Sequence, residues 1–242
     1  MTDAELAARL AEAAGRIALS VRASAAFEGR ALGDAGDNVA NAFLTRALQQ
    51  QRPEDGLLSE ESRDTADRLG KSRVWIVDPI DGTREYAEAR PDWAVHVALA
   101  IDGEPVVGAV ALPDLGLTLR SDRLATLPPM PPRPRMVVSR SRPPAEAAYV
   151  AAALNAETLP LGSAGAKAMT VVRGEAEIYL HSGGQHQWDS CAPVAVALAH
   201  GLHCSRLDGG PLRYNQPDTN LPDLLICRPE LAERVLGVIG AA

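Results

Sequence analysis

The stretch PPMPPRP at 128–134 holds five prolines in seven positions. Proline fixes φ and lacks a backbone N–H, so this stretch continues neither a helix nor a central strand. It divides the 242-residue chain into an N-terminal half, 1–127, a Pro-rich linker, 128–135, and a C-terminal half, 136–242. A composition of 46% hydrophobic and 23% charged residues gives the chain material for a sizeable core.

The two halves differ in pattern. The N-terminal half opens with Thr2 three positions before Glu5, a capping box, and with Leu6, Leu10, Ile17 and Val21 near helical spacing. A second helix is predicted from about Asp37 to Gln51, stopping before Pro53. The period then changes to strand-like runs at 57–59, 74–78, 93–101 and 105–112, the last two joined by the turn DGE. This half reads as α+β with antiparallel strands. Beyond the prolines, strand and helix alternate. RMVVS, AEIYL and DLLIC are the strands; helices are expected through AEAAYVAAAL, from Gly165 to Arg173, from Asp189 to His200, and from Pro229. That half reads as α/β.

Bulk charge and cysteine usage exclude several classes. The net charge is −7 with no basic block, which argues against a nucleic-acid backbone as partner, although a small polyanion can bind where a few cations and metals converge. The start MTDAELAARLAEAAG is acidic and periodic, and no run approaches the ~20 apolar residues of a membrane span, so a cytoplasmic protein without membrane contact is expected. Cys191, Cys204 and Cys227 form neither an even set nor a C-x-x-C, which suggests reduced core thiols rather than disulfides or a zinc site.

Three acidic features stand apart from solvated charge. LLSEES ends a strand-like run in Glu60 and Glu61, WIVDPIDGT ends another in Asp78 and Asp81, and QHQWDSCAP places Asp189 at a helix start. Taken singly, a Glu-Glu pair is commonly a wet surface and Asp189 a helix N-cap. Together, carboxylates at strand ends are held by a scaffold yet reach solvent, which suits Mg²⁺, a hard cation that takes oxygen ligands. Pro79 stiffens the Asp-x-x-Asp link, and the Ile80 carbonyl offers one more oxygen. Gly82-Thr83 lets the chain turn into a helix whose free N–H groups favour a phosphate beside the metals. At roughly 5% usage per residue type, DPIDGT arises by chance in only a few of a million such chains.

These motifs carry a resemblance. SEES, the 18-residue step from Glu60 to Asp78, WIVDPIDGT and WDSCAP resemble the inositol monophosphatase superfamily of Mg²⁺-dependent, lithium-sensitive phosphomonoesterases. DGTREY, SAGAK at 163–167 and LDGGPLRYNQ are most similar to its CysQ branch of 3'(2'),5'-bisphosphate nucleotidases, in particular the actinobacterial members. The resemblance implies a layered α-β-α-β-α sandwich, two or three Mg²⁺, a possible homodimer and hydrolysis of the 3'-phosphate of 3'-phosphoadenosine 5'-phosphate in sulfate assimilation. Inositol 1-phosphate and fructose 1,6-bisphosphate are the alternative substrates; a nucleotide- or metal-sensing module without turnover is the reading from another class.

Carried over by position, Glu60, Asp78, the Ile80 carbonyl, Asp81 and Asp189 match the metal ligands, and Glu60, Asp81 and Thr83 the catalytic set, Glu60 and Thr83 orienting the attacking water. Asp81, Gly82, Thr83, Arg84, Ser139, Arg142, Ser163, Lys167 and Asp189 match substrate-lining positions, Lys167 matching the lysine that meets the second phosphate. Glu61 stands behind the ligands. The stretch DNVANAF departs from the pattern: Asn41 is expected where relatives carry an aspartate that contacts the catalytic threonine, removing a charge from the third metal. Gln187 similarly stands where several relatives have glutamate.

Overall fold

The computed structural model describes residues 1–241. Helix α1 (Asp3–Ala23) begins as the sequence predicts. The Thr2 hydroxyl accepts from the Glu5 N–H at 3.2 Å, and Glu5 Oε2 accepts from the Thr2 N–H at 3.0 Å. Helix α2 (Gly29–Gln51) starts earlier than the predicted Asp37. Its extra turns are rich in glycine, which disfavours helices, but packing requires two of them. A Cβ on Gly33 would lie 2.7 Å from Thr83 Cγ2, and one on Gly36 would lie 2.7 Å from Tyr86 Cε1.

Two five-stranded sheets follow. The first contains β1 (Gly56–Ser59), β2 (Arg73–Asp81), β3 (Ala94–Ile101), β4 (Glu104–Leu112) and β5 (Leu117–Arg120) in that order. Strand β1 is parallel to β2 and the others are antiparallel. The second sheet has β6 (Arg135–Ser139), β7 (Glu157–Leu161), β8 (Ile178–His186), β9 (His203–Ser205) and β10 (Asn220–Cys227) in the order β7-β6-β8-β10-β9. Strands β7, β6 and β8 are parallel, while β10 is antiparallel to its two neighbours. The short strands β5, β7 and β9 lack a strand signal in the sequence. Strand β7 even contains Pro160, which its place at the sheet edge tolerates.

The remaining helices are α3 (Thr83–Ala87), α4 (Ala145–Leu154), α5 (Ala164–Val172), α6 (Gln187–Ala199) and α7 (Pro229–Gly240). Alternation along β2 sorts the layers. Trp75 and Val77 face one core with Leu6 and Ala14 of α1 and Leu44 and Leu48 of α2. Val74 and Ile76 face another, with Met169 of α5, Cys191 and Val194 of α6, and Val137, Tyr179 and Ile226 of the second sheet. A third core joins Val150 of α4 and Leu231 and Val235 of α7 to Ile178 and Leu225 on the outer face of that sheet. The layers are therefore α-β-α-β-α, as expected. All three cysteines are free, with Cys191 and Cys227 buried. Among the described residues no helix is long and apolar enough to cross a membrane.

Candidate active site

Asp78 and Asp81 end β2. On a regular strand, side chains three apart point to opposite faces. Here the register against β3 shifts between Asp78 and Asp81, and this bulge turns both carboxylates to one side. Parallel pairing of Ser59 with Val77 brings Glu60, the residue after β1, alongside. From the second half, Asp189 enters on the first turn of α6, its Oδ2 accepting the His186 N–H at 2.6 Å. Carboxylate oxygens of Asp78, Asp81 and Asp189 all lie within 4.8 Å of one another.

The electrostatics of this group are lopsided. Asp78 is 1% exposed and its Oδ1 has no hydrogen-bond partner; burial, and then the charges of Glu60 and Asp81, push its carboxyl well above the usual range. Crowding of the carboxyl by protein, and then the charge of Asp189, push Glu60 up to about 7, although the residue as a whole is exposed. Burial and then Asp81 push Asp189 up to about 6. Asp81 is the exception. Burial acts to raise it, but His96, Ser163 and Lys167 outweigh burial and hold it down at about 2. Its carboxylate accepts from the Ser163 hydroxyl, from the Ala164 N–H at 3.1 Å and from the Gly165 N–H at 2.5 Å, with His96 Nε2 3.3 Å away. An orphaned carboxylate oxygen among oxygen donors that repel one another fits a hard divalent cation.

The other anticipated residues divide. Thr83 opens α3 and donates its hydroxyl to the Ile80 carbonyl at 3.2 Å. Gly82 before it has φ +89°, a conformation glycine adopts freely, and a Cβ there would press on Ser163 Cβ at 3.1 Å. Ser163 caps α5 and reaches Asp81. Arg84 is exposed and pairs with Glu88 at 2.9 Å, and Glu61 is exposed. Ser139 accepts the Arg142 backbone N–H at 3.1 Å, with Arg142 exposed.

Two positions differ from expectation. Asn41 does not face Thr83: its amide donates to the Glu61 carbonyl at 3.3 Å and Ser62 Oγ at 3.1 Å, and accepts from the Ser59 hydroxyl at 2.7 Å. Asp37, one turn earlier on α2, faces Thr83 instead; burial, which Thr83 partly offsets, and then the charge of Glu60 push it up to about 8. The aspartate expected to be missing is therefore present. Lys167, expected to meet a second phosphate, is 5% exposed and turns its Nζ to the carbonyls of Gly162 at 2.8 Å and Ser163 at 2.5 Å. Gln187, which stands where several relatives have glutamate, is buried. It donates to the carbonyls of Gln216 and Asp218 and accepts the Gln216 N–H, which a glutamate cannot do from both ends.

Sequence reasoning missed Asp37, His96 and Asp92. The signals were an acid on the stripe of Ala40, Leu44 and Leu48, and a lone histidine inside the apolar run WAVHVALAI. Asp92 carried no comparable sign.

The model of the inositol monophosphatase family matches residues 4–125 and 135–239. A protein of Mycobacterium leprae named 3'-phosphoadenosine 5'-phosphate phosphatase is 50% identical over 254 residues, covering 99% of this chain and 94% of its own. Among solved structures, the inositol monophosphatase from Anabaena superposes with a TM-score of 0.79 at 20% identity, covering 99% of this chain and 95% of that one. CysQ from Bacteroides thetaiotaomicron, described as a bacterial member of the inositol monophosphatase family, does so with a TM-score of 0.77 at 24% identity, covering 90% and 94%. Those two likenesses speak for the fold and the Mycobacterium leprae one for the sequence, and the matched segments span both halves of the carboxylate cluster: the chain belongs to the inositol monophosphatase family.

Proposed function

We propose that this chain is a Mg²⁺-dependent phosphomonoesterase that removes the 3'-phosphate of 3'-phosphoadenosine 5'-phosphate, clearing that nucleotide during sulfate assimilation. The observation that carries the reading is 50% identity across nearly the whole chain to a protein named for that activity, together with the carboxylates of Asp78, Asp81 and Asp189 in one cluster.

Glu60, Asp78, Asp81, Asp189 and the Ile80 carbonyl would hold divalent cations, which would supply Lewis-acid polarisation of the phosphoryl oxygens and lower the pKa of an attacking water. The protein's own part is placement and proton handling. Asp37 faces Thr83, whose hydroxyl donates to the Ile80 carbonyl, and Glu60 stands near enough to Asp37 for its charge to be felt there. In this reading they orient the attacking water and take up its proton. Asp81 stays ionised because its three donors and His96 favour the charged form, so its geometry is fixed before substrate arrives. With Asp37 supplying a carboxylate beside Thr83, Asn41 gives no reason to suppose lost turnover.

The test is phosphate release from 3'-phosphoadenosine 5'-phosphate, inositol 1-phosphate and fructose 1,6-bisphosphate with Mg²⁺, with EDTA and with Li⁺. The nucleotide is expected to be the best substrate, with activity abolished by EDTA and depressed by Li⁺. A preference for either sugar phosphate overturns the substrate, and no release from any of them overturns the enzyme reading.

A further inference from the structure

We propose that Asp92, which lies outside the carboxylate cluster, is a positioning residue for it, fixing through the Gly162–Ser163 turn the three donors that hold Asp81. The inference rests on the cation-dependent reading above.

Asp92 is 7% exposed and sits just before β3. Arg90 holds it from behind, Nε donating to Oδ1 at 2.8 Å and Nη2 to Oδ2 at 2.9 Å. So clamped, Oδ2 accepts the Gly162 N–H at 2.7 Å across 70 positions of sequence. On the opposite side of the turn, Lys167 Nζ donates to the carbonyls of Gly162 and Ser163. The turn is thus gripped through its N–H by an acid and through its carbonyls by a base.

The grip is needed because Ser163 has φ +41°, a region that residues with a Cβ rarely occupy. That conformation brings the Ser163 hydroxyl and the N–H groups of Ala164 and Gly165 onto one carboxylate. Crowding adds to the constraint: a Cβ on Gly162 would collide with the Glu85 side chain, and one on Gly165 with His96 Nε2. The turn therefore approaches both walls at contact distance, and its setting depends on the hydrogen bond to Asp92. If that bond is lost, Ser163 can relax to an ordinary φ and its donors leave Asp81, whose oxygens then lose their fixed direction toward the cation.

The experiment compares Asp92→Ala, Asp92→Asn and Arg90→Gln with the unaltered protein. Mg²⁺ half-saturation is read twice, by phosphate release and by the rise in melting temperature of the cation-free protein as Mg²⁺ is added. Asp92→Ala is expected to raise both midpoints roughly tenfold, as loss of a group orienting a ligand typically does. Asp92→Asn, which keeps an acceptor for the Gly162 N–H, should stay within about twofold, and Arg90→Gln should fall between the two. A role in fold stability alone would lower the melting temperature and leave the midpoints where they were, which overturns the proposal, as does equal loss in the alanine and asparagine variants. Should Asp92→Ala fail to fold, an unmoved midpoint in Arg90→Gln overturns it. An unaltered protein that shows no response to Mg²⁺ in either readout sinks the cation-dependent reading itself, whereas a normal response with an unmoved Asp92→Ala sinks only the positioning role.

Discussion

The Asp37 carboxyl faces Thr83, joining the middle of α2 to the first residue of α3. Gly33, one turn before Asp37, makes the approach possible, since a Cβ there would lie 2.7 Å from Thr83 Cγ2. The acid that flanks the threonine is thus delivered by a helical turn that helix propensity alone would not place there.

Asn41→Asp therefore should not add a cation-binding charge. The asparagine amide donates to the Glu61 carbonyl and Ser62 Oγ, and an aspartate would leave the carbonyl facing an acceptor. We expect a stability loss of about 1–3 kcal/mol, seen in thermal or urea unfolding, with the Mg²⁺ titration unmoved. A tightened titration would show that the carboxylate senses the cation after all.

Asp78→Asn removes charge at the centre of the cluster. Its effect on the barrier should be at least ~3 kcal/mol, more than a hundredfold in kcat at saturating Mg²⁺. Because Glu60, Asp81, Asp189 and Asp37 all repel this carboxylate, melting in EDTA should be unchanged or higher. Near-normal turnover would remove Asp78 from the ligand set.

Lys167→Met tests the direction of a side chain. With Nζ bonded to the carbonyls of Gly162 and Ser163, its loss should loosen the turn for every substrate alike, lowering kcat/KM roughly tenfold, ~1.4 kcal/mol, on both the bisphosphate nucleotide and inositol 1-phosphate. A loss confined to the nucleotide would place the ammonium on the second phosphate.

The acidic cluster also sets a pH dependence. Asp37, Glu60 and Asp189, raised to about 8, 7 and 6 chiefly by burial, bind protons more tightly folded than unfolded. In the absence of cations the stability they contribute is greatest at low pH and falls as pH rises from the ordinary carboxylate range through about 8. Asp81, held at about 2 against burial by His96 and Ser163, acts in the opposite sense: its contribution is present above the ordinary range and lost as pH falls toward 2. Melting in EDTA should therefore decline from pH 6 to 8.5, and Mg²⁺ should flatten that decline. A flat profile in EDTA would show that folding does not raise the proton affinity of these carboxyls.

Much of this was legible in the chain. Glu60, Asp78 and Asp81 announced themselves because apolar strands stop at acids, and Asp189 because it stands at a helix start. The α+β and α/β halves followed from the change of period, and the layered sandwich from the family resemblance. What the chain concealed are the features that depend on contacts between distant segments. The bulge that turns Asp78 and Asp81 to one side is a matter of register with β3, and the early turns of α2 are stabilised by the close approach of Gly33 and Gly36 rather than by propensity. The inward reach of Lys167 depends on a turn whose shape is fixed from Asp92. An edge strand such as β7 is held by its pairing with β6, and nothing in ETLPL alone specifies it.

Helix α6 carries Asp189 to the end of β2 from more than a hundred positions further along the chain. During synthesis at the usual rate, roughly 5–20 s separate the emergence of Asp81 from that of Asp189. Throughout that interval the face of the first sheet bearing Val74, Ile76 and Val110 waits for its α6 cover, and the acids at its edge lack their third member. Cation capture therefore belongs to the last stage of maturation, acting as a late lock on an assembled chain rather than as a nucleus around which the nascent one collects.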